Sequence, residues 1–87
     1  MDAPPSLRFR VESLLERLGI VFACQLDAGD FRLGPLSTLG GHRVLGFDVP
    51  RKLREDGSPD LALFGFRLER RQDVAGFVVG SIVQLVQ

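Results

Sequence analysis

The spacing of apolar residues along this chain changes near residue 19. Before it, Leu7, Val11, Leu14, Leu15 and Leu18 recur at helical intervals and form a single stripe. Arg8, Glu12, Glu16 and Arg17 lie off the stripe, and Gly19 takes a stop position, so the spacing predicts an amphipathic helix over 7–18. From Ile20 the period becomes two, with Ile20, Phe22, Cys24 and Leu26 on one side, which predicts a strand over 20–27. Ala28-Gly29-Asp30 supplies a turn, and a second strand over 30–39 is interrupted at Gly34, where a missing side chain permits a sharp bend. Gly40-Gly41 breaks the run, and 43–49 resumes it with Leu45, Phe47 and Val49 in alternation.

The stretch 50–60, PRKLREDGSPD, reads as a solvated loop on its prolines, glycine and mixed charges. A strand over 61–70 follows, with Ala62, Phe64, Phe66 and Leu68 alternating. After the polar corner Arg70-Arg71-Gln72-Asp73, the β-branched segment 74–86 is read as a final strand divided at Gly80-Ser81, with a helix as the alternative. The expected fold class is mainly β: an N-terminal helix followed by a five-stranded, strongly bent antiparallel barrel, all in one domain, 1–87.

Composition changes this picture in two ways. Hydrophobic residues make up 45% of 87 positions, whereas a domain this short hides only about 60–65% of its unfolded surface. Some apolar surface is therefore expected to be covered by a partner, another subunit or a second copy. Eleven basic and eleven acidic residues cancel, which removes the long-range pull on phosphate that dominates most nucleic-acid binding. The single Cys24 excludes an internal disulfide framework and a multi-cysteine zinc site, and it fits a reducing cytoplasmic or nuclear compartment. No signal-peptide pattern opens the chain, and its longest apolar run is shorter than the roughly 20 residues a membrane helix needs, so no membrane partner is expected.

Leu26, Gly29, Gly34 and Leu36, with Leu39, Leu45 and Phe47 beyond them, fall on the spacing of the first motif of the Sm-like family, which the chain resembles. The second motif is matched at Arg70 and Val74 and approximately at Asp73. Gly40 and Val44 stand where the family has the Asp and Asn that hydrogen-bond a base, so the resemblance implies a barrel without its polar base pocket. Within the family, the helix end SLLERLG and the corner RRQDVAGF resemble a Gemin-type subunit of the survival-motor-neuron complex. The run LFGFRLERRQDV also resembles the auxiliary subunit of the NatC acetyltransferase.

What the resemblance implies is a non-catalytic scaffold subunit in ribonucleoprotein assembly that pairs with another Sm-like protein by continuing its sheet. The expected interface is Leu61, Leu63, Phe64, Phe66, Val78, Val79, Ile82 and Val86; closure of the chain's own barrel by the tail is the alternative. His42, Arg43, Arg70 and Arg71 are the candidate RNA contacts, a ring and three cations that could stack on and flank one base. An auxiliary subunit of the NatC type and an RNA-binding ring subunit are the alternatives. No cofactor, metal or small-molecule substrate is expected. Catalysis has little to stand on, because Cys24 and His42 sit on different predicted strands with no orienting acid in view.

Overall fold

Six antiparallel strands close into a barrel in the computed structural model, which describes residues 6–50, 55–57 and 62–87. The strands are β1 (Ser6–Leu15), β2 (Ile20–Gln25), β3 (Thr38–Leu39), β4 (His42–Asp48), β5 (Leu63–Leu68) and β6 (Ile82–Val86). Around the barrel they run β1-β2-β5-β4-β3-β6, and β6 returns to β1 with Leu7 opposite Leu85 and Arg10 opposite Ile82. Two 3-10 turns, Glu16–Leu18 and Arg71–Gly76, complete the described elements.

The expectation of a small, strongly bent antiparallel barrel is met in outline, with three corrections. Residues 7–18 form no α-helix: they are strand as far as Leu15, followed by the 3-10 turn Glu16–Leu18. Leu7, Phe9 and Val11 point inward while Ser6, Arg8 and Arg10 face out, which is the alternation of a strand with one buried face. A bulge between Val11 and Ser13 then adds one residue against β2, and Leu14 packs against the core in its turn. The strand expected over 30–39 shrinks to Thr38–Leu39, because Ser37 closes a turn with Gly34: its N–H donates to the Gly34 carbonyl and its Oγ accepts the Gly34 N–H. Phe31 and Leu33 still pack against the core from this loop.

The third correction concerns 74–86. Only Ile82–Val86 is a strand, and Arg71–Gly76 is a 3-10 turn that drops Val74 into the barrel, with Phe77 buried just after it. The strand count is therefore six. Of the solvated loop expected over 50–60, residues 51–54 and 58–60 lie outside the described residues, as does Leu61.

Phe9 and Phe66 fill the barrel at its centre, both without solvent exposure, and their rings meet edge to face at 5.1 Å. Val11, Val21, Ala23, Leu39, Leu68 and Leu85 line the wall around them. Burial of each large apolar side chain is worth about 1.5–3 kcal/mol, so this single layer of rings and aliphatic groups carries the fold.

Outside, the strand β1 is tied to the β2–β3 loop by Asp27, whose carboxylate accepts the Arg8 backbone N–H at 2.8 Å and the Arg8 guanidinium at 2.9 Å. Hydrogen bonding from the Arg8 side chain, then from its backbone N–H, holds the Asp27 carboxyl below its usual range. A depressed carboxyl stabilises the fold above its unfolded pKa, about 3.9, and that contribution disappears as pH falls through the lower folded value. Thermal melts below about pH 4 are therefore expected to fall less steeply for Asp27→Asn than for the wild type. Equal slopes would mean that the pair does not form in solution.

Candidate functional site

The antiparallel order sends the chain's connections to two opposite ends. At one, the turn end, lie the 3-10 turn Glu16–Leu18, the Gly40-Gly41 hairpin turn and the segment 69–81. At the other lie the β2–β3 and β4–β5 loops and Gln87.

All four candidate RNA residues gather at the turn end, and acids come with them. The His42 Nδ1 lies 3.3 Å from the Asp73 carboxylate, and its ring tilts at 46° against Phe77 with centroids 5.3 Å apart. Arg43 pairs with Glu69 at 3.5 Å, and the Glu69 N–H donates to the Arg43 carbonyl. Arg71 donates from Nη1 to the Arg17 carbonyl at 3.3 Å, joining the two 3-10 turns. Arg70 is exposed, and its carbonyl accepts the Asp73 N–H that opens the second turn. A phosphate approaching this end would have to displace carboxylates already in place beside His42 and Arg43.

The hairpin turn is built for its position. Gly40 and Gly41 have φ of 59° and 86° between the paired residues Leu39 and His42, the two-residue arrangement that only glycine and a few polar residues enter without strain. Beside it, Leu15, Glu16, Arg17, Leu18 and Arg71 line a shallow cleft of about 780 Å³.

Closure of the barrel decides the expected interface. β5 is paired on both sides, by β2 and β4, and β6 on both sides, by β1 and β3, so neither offers an open edge to another sheet. Leu63 and Phe66 are buried, which removes them from any docking surface of this state, and Phe64 is half-buried. Val78, Val79, Ile82 and Val86 are exposed. The tail closes the chain's own barrel.

Sequence reasoning missed the acid beside His42. Asp73 approaches it because the second 3-10 turn folds back under Val74 and Phe77, whose three-residue spacing inside an apolar run is the signal that was available. Cys24 pairs with Arg10 and Leu63 near the far end of β2, so it and the His42–Asp73 pair stand at opposite ends of the barrel. The sequence motif Leu26, Gly29, Gly34 and Leu36 falls in the β2–β3 connection, with Leu36 strongly exposed.

Among the described residues, no group of three or more His, Cys, Asp or Glu side chains is placed to hold a metal ion, and no helix is long and apolar enough to cross a membrane. Set against protein-family models, curated proteins and solved structures, the chain matches none of them.

Proposed function

We propose that this domain is a non-catalytic docking module that holds a protein partner against the turn end of its barrel. The observation that supports this reading is the exposure of branched apolar side chains there: Leu18 at 65%, Val78 at 66% and Val79 at 56%. Ile82 continues the exposed apolar surface onto the outer face of β6. At the same end His42 pairs with Asp73 and Arg43 with Glu69, while Arg17, Arg70 and Arg71 have no carboxylate partner among the described residues, so the rim is of mixed charge. Branched apolar side chains beside a rim of mixed charge have the composition of a protein interface, whereas a nucleic-acid surface carries cations in clear excess along one face.

The proposal stops at a protein partner. The ribonucleoprotein and acetyltransferase settings implied by the Sm-like resemblance rest on pairing through open strand edges, a route to which the closed barrel lends no support.

Leu18→Asp combined with Val78→Asp tests the reading. Both residues are exposed, so each is expected to change folding stability by no more than about 0.5 kcal/mol. Tagged wild-type and doubly substituted protein are cross-linked in their native extract and compared by quantitative mass spectrometry. A partner recovered with the wild type is expected to fall at least about tenfold with the variant, the equivalent of about 1.4 kcal/mol. Identical recovery from a variant with unchanged melting would place the interface elsewhere and sink the proposal.

A further inference from the structure

Phe31, Phe47 and Phe64 meet at the end of the barrel opposite the docking surface. Their ring centroids are 5.0 Å apart for Phe31–Phe47 and Phe31–Phe64 and 5.6 Å for Phe47–Phe64. Rings this close touch each other, so nothing enters between them. They make a floor, not a cage. Each retains part of its surface in solvent, and a cleft of about 550 Å³ stands over them, edged by Asp30, Arg32 and Gln87. That volume lies within the usual range for small-molecule sites, and a barrel mouth is one of their usual places.

The wall of the cleft is pinned. Gln25 donates from Nε2 to the Asp27 carbonyl at 2.7 Å and the Gly29 carbonyl at 2.6 Å, which holds the start of the β2–β3 loop. Farther along, the Arg32 backbone N–H donates to Gln87 Oε1 at 2.9 Å. Asp30 and Arg32 therefore bracket Phe31 on a segment tied at both sides.

Charge at this mouth is spent only in part. Arg8, at the same end, is taken up by Asp27. Among the described residues, neither the Arg32 guanidinium nor the Asp30 carboxylate has an ion-pair or hydrogen-bond partner. An aromatic floor with Arg32 and Asp30 at its edge selects for a particular shape of ligand.

We propose that this mouth binds a small planar aromatic molecule carrying a single anionic group. The ring lies on Phe31, Phe47 and Phe64, and the anion pairs with Arg32 through the forked donors of its guanidinium. Asp30 repels a second negative charge and accepts a hydrogen bond from an N–H or O–H on the ligand. Aromatic contact supplies affinity and the two charges supply the sign.

The test is a titration of the isotope-labelled full chain, followed by amide NMR, with indole-3-acetate as the probe. Tryptamine, which keeps the ring and reverses the charge, and cyclohexylacetate, which keeps the charge and loses aromaticity, are the comparison arms. Saturable shifts are expected at Asp30–Arg32, Phe47 and Phe64, with both comparison compounds binding at least about fivefold more weakly. Arg32→Gln is expected to weaken indole-3-acetate by about three- to tenfold, and Asp30→Asn to tighten it. Both positions are exposed, so the variants retain the barrel. Equal affinity for indole-3-acetate and tryptamine, shifts centred on the Leu15–Leu18 cleft, or no saturation by about 5 mM would overturn the proposal. None of these outcomes depends on the docking surface at the other end.

Discussion

Phe9→Ala is expected to destabilise the barrel by about 3–5 kcal/mol, the cost of removing a fully buried aromatic ring and leaving a cavity. Phe9 has no solvent exposure, and its ring makes edge contacts with Phe31 at 5.6 Å, Phe64 at 6.1 Å and Phe66 at 5.1 Å. It stands on β1 between the ladders to β2 and β6, with Gln25 on one side and Val83 on the other, so the cavity cannot collapse without moving both. Domains of this size are held by about 5–15 kcal/mol in total, which makes the loss comparable to the whole for a chain at the lower end. Urea denaturation followed by circular dichroism measures it, with Phe22→Ala as the comparison, since Phe22 is only half-buried on the outer face of β2. A loss below about 1 kcal/mol at Phe9 would mean that the rings do not share one core.

β1 shows how a strand can imitate a helix. The inward residues are Leu7, Phe9 and Val11, and after the bulge Leu14. Without Phe9, that series is the helical stripe 7, 11, 14. The alternation of Leu7, Phe9 and Val11 with Arg8 and Arg10 is visible in the sequence, and Phe9 is the residue for which a helical stripe has no place. Bulges are not encoded by an obvious residue type here, since Glu12 and Ser13 are ordinary polar residues. The break in period therefore had no marker.

The loop containing Phe31 and Leu33 fails in the opposite direction. Its alternation reports correctly which side chains face the core, but facing the core does not require a hydrogen-bonded ladder. Gly34 and Ser37 bond to each other, and the ladder begins only at Thr38. Burial pattern and strand pairing are separate properties, and a period-two pattern reads only the first.

Functional geometry was legible only in part. His42, Arg43, Arg70 and Arg71 do converge on one end, because β4 starts and β5 finishes there. Their acids were not foreseeable in the same way: Glu69 and Asp73 find Arg43 and His42 through the β4–β5 register and the fold of the second 3-10 turn. The aromatic mouth was invisible for the same reason, since Phe31, Phe47 and Phe64 come from a loop and two strands that only closure of the barrel brings together.

The hairpin that carries His42 provides the second large effect. Gly40→Val is expected to cost about 3–5 kcal/mol, from two sources acting together. The backbone at Gly40 has φ of 59°, where a β-branched residue is strained, and a Cβ built there would lie 3.3 Å from Phe77 Cε2 and from Val83 Cγ1. Phe77 is buried just after the second 3-10 turn and Val83 is part of β6, so neither neighbour retreats without loosening that turn or the closing strand. Gly41→Ala separates the two sources: its φ of 86° is also left-handed, but a Cβ there meets nothing within 4 Å. Backbone strain alone, about 1–2 kcal/mol, is therefore the expected cost at Gly41. Denaturant midpoints of the two variants give the comparison, and amide hydrogen exchange at Asp73 to Phe77 locates the damage. Gly40→Val should raise exchange there while Gly41→Ala leaves it near the wild type. Equal destabilisation by both would show that the turn carries only strain, and that Phe77 and Val83 do not press against it.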